Sequence, residues 1–498
     1  MKNMKYRDNK NGKGDKIVEE MDKHNWLQEV YSHIDSHFEK EHLARIIDLV
    51  RQPSIAGTGE GIEECAQKVM DLLNWLGCED VHLERYEKSP IVVGRLKADV
   101  PDAPTLCMYG MYDVQPVEPI EEWTVPPYAG EIKQVPPYGE CVVARGIANS
   151  KGLLVTYLNA VDSIRKVRGY MPYNILFFVE GEEELGSKSM LPFVKAHLDE
   201  IKASEGVFLN GARQDENGRP FTILGCKGIL YIDIEVTGGD WGGPQVVDLH
   251  GMNAAWVSSP VWRLVNALSS MRDENDNILI EGFYDDLDAL SDMDEMYTSR
   301  MTDAFDENMY LEKRLYAKRF LGGLSGSDAL RHFLWKPTLN IDGIWAGYTG
   351  EATKTILPYK ACAKIDIRLV PSMKAETVLE RIRSHLSKYD FEDIKLTMRQ
   401  GTPWSKSDPN GRMARAAVMA MDNSGYEGGF VWPIYPGSGP SYTFTQFGIP
   451  YISYGLGQSG RIHAPDEFMS LKGLRENTKS CAANLYYLEK LCREETMQ

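Results

Sequence analysis

Apolar residues recur at helical spacing over 42–52 and 60–77, then give way at 104–110 (PTLCMYG) to a short β-rich run that breaks at Gly110. The pattern next predicts a helix over 151–167 (KGLLVTYLNAVDSIRKV), a buried strand over 173–181 (YNILFFVEG), a helix over 189–198 and a strand over 205–211 (EGVFLNG). Strand and helix alternating in this way imply a parallel sheet with right-handed crossovers. Ligands bind beyond the carboxyl ends of such strands, so the MYD, EGEEE and LNG segments become the places to look for chemistry.

After Gly225 the period changes. GILYIDIEVTG (228–238) alternates like a strand with one solvated face, a helix follows at 259–272, and ACAKIDIRLV (361–370) and IKLTMRQ (394–400) add alternating strands around a helix at 375–389. This reads as an antiparallel α+β domain inserted into the first. The expected division is a tail and leading helix over 1–40, a catalytic domain in two parts over 41–225 and 374–498, and the insertion over 226–373. An acidic stretch near 273–310, with DDLDAL and DMDEM, is expected to be a solvated helical face. FVWPIYPGSGP, IPYISYGLG and HAPDEF return the chain to the first domain.

At 498 residues the chain is long enough for two or three cores, and no apolar run approaches the roughly 20 residues that cross a bilayer. The polar start MKNMKYRDNKNGKGDK reads as a frayed tail rather than a secretory signal. A net charge of −17 argues against nucleic-acid partners, which require clustered Lys and Arg. Eight cysteines without CxxC pairing suggest free thiols and a cytoplasmic protein.

The chemistry-bearing segments are MYGMYDVQPVEPIEEWTVPPY (108–128), ARGIANSKG (144–152), VEGEEELGS (179–187), VFLNGARQDENGRP (207–220) and RIHAPDEF (461–468). DLH (248–250), KTILP (354–358), DIRLVP (366–371) and PGSGP (436–440) accompany them. Together they resemble the dinuclear-zinc family of metallopeptidases that includes aminoacylase, carnosine dipeptidase and glutamate carboxypeptidase. The resemblance runs from about residue 40 to 490. It implies an α/β fold: a parallel-sheet catalytic domain carrying an inserted α+β, ferredoxin-like lid and dimerisation domain.

By that resemblance Glu183 is the general base and Glu184 a metal ligand, His463 is a second ligand, and Asp113 orients a ligand from behind. The other three ligand positions depart from the family pattern. Met111 stands where the first histidine belongs, Asn149 where an aspartate bridges both metals, and Asn210 where an aspartate holds the second metal. A thioether and two neutral amides are poor zinc donors, because an amide offers one uncharged oxygen and an NH₂ that repels cations. One metal site retains Glu184 and His463, and the other retains nothing. Two metals are therefore not expected; the expectation is no metal, or one weakly bound zinc or manganese ion.

The substrate-side residues are retained. The resemblance implies that His250, delivered by the partner of a homodimer, stabilises an oxyanion, that Arg368 grips a carboxylate, and that Thr355 and Ser438 add hydrogen bonds. The stretch after His250, GMNAAW, departs from the family pattern. Three readings stay open: a dipeptidase-like amidohydrolase acting on a dipeptide, N-acyl amino acid or related amide with one metal or none; a catalytically silent homologue that binds an amino-acid-like ligand; and a repurposed metal-independent enzyme using Glu183, Glu184 and His463 as acid and base. Ser150 beside Lys151, and Cys226, are weaker nucleophile candidates because neither has an identified base.

Overall fold

The computed structural model describes residues 26–496, so the predicted frayed tail lies outside the described residues. Thr105–Met111 leads through the buried helix Lys151–Arg168 to Asn174–Glu180, which lies parallel to it in register Cys107↔Leu176 and Met111↔Glu180. This crossover is the one that the change of apolar period predicts. Val207–Asn210 adds a parallel strand on the other side of Thr105–Met111, and Tyr451–Tyr454 adds the next. These four parallel strands form the centre of an eight-stranded sheet. On one flank Ile91–Leu96 runs antiparallel to Asn174–Glu180 and Glu79–Glu84 antiparallel to Ile91–Leu96; on the other, Phe221–Ile223 pairs antiparallel with Tyr451–Tyr454 and parallel with the edge strand Phe430–Trp432.

Helices cover both faces, as a sheet with apolar residues on each side requires. Lys151–Arg168, Ile62–Leu76 and Leu471–Thr496 bury Leu158, Val69 and Leu485 on one face. On the other, Phe193, Phe444 and Tyr451 pack around Tyr109 and Phe178. Eight free cysteines, seven of them buried, serve as small apolar side chains. Among the described residues no helix is long and apolar enough to cross a membrane.

The insertion is built on a four-stranded antiparallel sheet ordered Asn340–Ala346, Lys360–Leu369, Gly228–Thr237, Lys395–Thr402. Gly228–Thr237 alternates buried and half-buried residues along its whole length, which is the predicted one-sided pattern. Helices Pro260–Ser270 and Ala375–Lys388 cover the apolar face through Leu264, Val378 and Ile382.

The expected domain boundary at residue 373 is displaced. Lys395–Thr402 pairs with Gly228–Thr237 (Ile234↔Leu396, Leu230↔Gly401), so the insertion continues to Thr402. The chain then re-enters beside its own exit, where Ser405–Lys406 pairs with Gly225–Cys226.

The acidic stretch is also not a wholly solvated face. Ser291 and Asp294 form a reciprocal capping box at the start of Asp292–Ala304, and the same Asp294 carboxylate receives Lys406 Nζ. This helix buries Tyr297, Thr298 and Met301, and together with Gly326–Trp335 it covers Phe430 and Trp432 at the edge of the catalytic sheet.

Candidate active site

The segments singled out in the sequence converge at the carboxyl ends of the parallel strands. Met111 ends its strand, Asn210 ends the next, and the Glu183–Leu185 turn follows Asn174–Glu180. Opposite them, Ser459–Gly460 and Phe468–Ser470 form a hairpin whose turn carries His463, held in the left-handed region at φ +65°.

Glu184, His463 and Asn149 form a triangle. Asn149 Nδ2 donates to Glu184 Oε1 at 2.7 Å and lies 3.0 Å from His463 Nε2, which is itself 3.0 Å from Glu184 Oε1. The proton on Nε2 decides which contact operates: with it the imidazole donates to Glu184, and without it Nε2 accepts from Asn149. The hydrogen bond to Glu184 raises the pKa of His463. Half-buried Glu183 stands beside this triangle. Burial first, then the charge of Glu184, pushes its carboxyl up to about 7, opposed by His463.

Asp113 is buried and accepts from Glu184 N at 2.9 Å through Oδ2, while Oδ1 has no partner among the described residues. Burial drives its pKa well above the usual carboxylate range, with the charges of Glu183 and Glu184 adding to the effect. The thioether side chain of Met111 carries no N–H donor, unlike the histidine of the family pattern.

Asn210 belongs to a buried network. Its Nδ2 donates to Leu153 O at 2.7 Å, Thr156 Oγ1 at 3.0 Å and Asn477 Oδ1 at 2.8 Å, and its Oδ1 has no partner among the described residues. A Cβ at Gly455 would sit 2.6 Å from that oxygen, so only glycine allows the network to close.

Two residues that motif reading passed over hold the site together. Glu467 is fully buried and accepts from Arg145 Nη1 (2.9 Å) and from the main-chain N–H groups of Gly146 (3.0 Å), Ala148 (2.9 Å) and Asn149 (2.9 Å). This one carboxylate fixes the loop that presents Asn149. Gln115 Nε2 donates to Glu184 Oε2 at 2.8 Å. Both lie inside quoted motifs, HAPDEF and DVQPVEP, and a carboxylate one residue from an apolar strand is the signal that marks Glu467.

On the substrate side, Arg368 Nη1 donates to Ser438 Oγ at 3.1 Å, and Arg368 Nε lies 3.3 Å from Asp366 Oδ1. His250 and Thr355 are neighbours in the insertion, linked by Gly251 N donating to Thr355 O at 3.1 Å. Among the described residues neither exchanges a hydrogen bond with Glu183, Glu184 or His463. The nucleophile candidates are occupied elsewhere: Ser150 Oγ donates to Met111 O, Lys151 Nζ to Gln52 O, and burial pushes the Cys226 thiol up.

A model of peptidase family M20/M25/M40 matches residues 107–486. The chain belongs to that family. Its sequence is 30% identical over 353 residues to the Beta-Ala-His dipeptidase of Rattus norvegicus, covering 67% of this chain and 66%, just under two thirds, of the rat enzyme. It is 25% identical over 475 residues to a Cys-Gly metallodipeptidase of Candida albicans, covering 86% of this chain and 90% of that one. In three dimensions it is similar to the M20 family metallo-carboxypeptidase Sso-CP2 of Sulfolobus solfataricus, with a TM-score of 0.79 at 29% identity over 91% of this chain and 100% of the other.

Membership in a metallopeptidase family implies metal, and the donors here do not fit a two-metal centre. The Asn149 NH₂, a donor that repels cations, points at Glu184 and His463, the two side chains here whose donor atoms could hold a metal. The amide of Asn210 is turned into the protein by three acceptors. Among the described residues no three His, Cys, Asp or Glu side chains gather into a metal-binding group. A pair of divalent ions in such a pocket would carry four positive charges against a single ligand carboxylate.

Proposed function

We propose that this M20-family protein is a dipeptidase-like amidohydrolase acting on a dipeptide, N-acyl amino acid or related amide, working with at most one metal ion. The observation that carries this reading is half-buried Glu183 beside the triangle that Glu184 and His463 form with Asn149, whose own loop Glu467 anchors. Glu183 accepts a proton from water as the water oxygen attacks the amide carbon. It then returns the proton to the leaving nitrogen as the C–N bond breaks. Arg368 and Ser438 hold the substrate carboxylate, and His250 of a partner subunit stabilises the oxyanion.

The homodimer is part of the reading, because His250 serves only a cleft other than its own. Supporting it, the edge strand Asn340–Ala346 exposes Ile341, Ile344 and Trp345, and the neighbouring parts of the insertion expose Trp256 and Trp262. Such an apolar row on an unpaired sheet edge is a surface that requires a partner. Sedimentation should give a dimer at micromolar concentration and Ile344→Lys a monomer; a stable wild-type monomer refutes the role given to His250.

A second reading has its own support. The Asn149 amide closes a hydrogen-bonded triangle over the residual ligands, and that arrangement suits a silent ligand-binding homologue. A screen of dipeptides and N-acyl amino acids with and without chelator, run on wild type, Glu183→Gln and Arg368→Ala, separates the two. An enzyme loses turnover in Glu183→Gln while keeping affinity, and loses affinity in Arg368→Ala. A binder responds to Arg368→Ala alone.

A further inference from the structure

Beyond the last strand of the catalytic sheet, the insertion closes over a cavity of about 440 Å³, within the size range of small-molecule sites. Its walls are aromatic. Phe221 stacks on Phe430 with ring centroids 5.5 Å apart, Trp432 meets Phe430 edge-on at 6.1 Å, and Phe333 meets Trp432 edge-on at 6.3 Å. Two guanidinium groups reach the same cavity, and each is paired with a carboxylate: Arg219 with Asp215 at 2.6 Å and Arg314 with Glu216 at 2.6 Å. His332, also on the wall, has its pKa lowered by burial and by the charges of Lys227 and Lys336, which disfavours the charged imidazolium. The cavity therefore presents rings and no net charge, which selects an uncharged apolar or aromatic group.

Its position ties it to the cleft. Ser459 lines the cavity and belongs to the hairpin whose turn carries His463. Tyr435 and Pro436 line it too, immediately before the Gly437–Ser438 segment that meets Arg368. The third wall, Met301 to Phe333, comes from the acidic stretch and its neighbours, the part of the insertion that packs on the sheet edge.

We infer that this cavity receives an uncharged ring-bearing group, the N-acyl or side-chain portion of the same substrate whose carboxylate Arg368 holds. The inference rests on the amide-substrate reading above. Burying a phenyl ring in such walls favours a benzoyl over an acetyl group by about tenfold or more.

The test is calorimetric binding of N-benzoylglycine and N-acetylglycine to the full chain. Wild type should prefer the benzoyl compound about tenfold. Ala329→Trp, which fills the cavity, should abolish that preference and leave N-acetylglycine unchanged. Should Ala329→Trp fail to fold, Phe333→Ala at the half-exposed wall should reduce the preference several-fold. An absent preference in wild type, or one that survives both substitutions, overturns the inference. If neither acylglycine binds, the amide-substrate reading fails, and the inference, which is about that substrate, falls with it. Ligand-detected magnetic resonance with indole then tells the failures apart: indole bound by wild type and not by Ala329→Trp places the fault in the substrate, and no indole binding places it in the cavity as well.

Discussion

The loop at 145–149 and the strand end at Asn210 approach the same cleft and treat buried polarity in opposite ways. In the loop, the Glu467 carboxylate is kept, because Arg145 and three main-chain N–H groups supply every donor it needs from within the chain. At the strand end, a neutral amide stands where the family pattern has a carboxylate, and its surroundings are acceptors: Leu153 O and Asn477 Oδ1. A buried charge persists where the protein itself partners it. Where only a cation would do so, this chain has exchanged the charge for an amide that the core can satisfy.

The largest effect should come from Glu467→Ala, which leaves Arg145 buried and unpaired and three N–H groups without an acceptor. A loss of about 3–5 kcal/mol in urea unfolding is expected, and less than about 1 kcal/mol would break the contrast. Next is Asn210→Asp, which sets a carboxylate against two acceptors and should cost at least about 1–3 kcal/mol, unrecovered by added zinc. In the triple variant Met111→His, Asn149→Asp, Asn210→Asp, zinc at one hundred times its Kd should return about 2.7 kcal/mol, read as a rise in Tm.

His42 repeats the unpartnered situation far from the cleft. It is fully buried with neither ring nitrogen paired among the described residues, and burial, aided by the charge of Arg45, pushes its pKa down to about 3. Between an unfolded value near 6.5 and that folded value, only the unfolded chain takes the proton, so wild-type stability falls as pH drops through this window. His42→Phe should gain about 1 kcal/mol at pH 7 and more at pH 4, measured by unfolding at both. The smallest effect is Gln115→Ala, which removes one hydrogen bond to Glu184 and should cost about 0.5–1.5 kcal/mol.

The elements were legible where period and burial agree. YNILFFVEG and GILYIDIEVTG announce a strand covered on both faces and a strand with one solvated face, and those are the strands at 174–180 and 228–237. The acidic stretch misled because DMDEMYTSRMTDA looks solvated by composition, whereas its apolar and hydroxyl positions meet a sheet edge formed by residues 430–432, more than 120 residues later. The boundary at 373 fell short for a different reason: it cut off IKLTMRQ (394–400), whose alternation already reads as a strand of the insertion and which pairs there with Gly228–Thr237.

Residue types by themselves determined the chemistry available at the cleft: a thioether at Met111, amides at Asn149 and Asn210, carboxylates at Glu183 and Glu184, and an imidazole at His463. Donor character is a property of the side chain, so the weak donor set at these positions is legible in the sequence. Tertiary structure decided what those groups meet. It turned Asn149 toward Glu184 and His463, turned Asn210 into a network with Asn477, left Asp113 with an unpaired oxygen, and made Glu467 the anchor of the loop. Hydrogen-bond partners hundreds of residues apart are chosen by packing, and a local pattern holds no record of that choice.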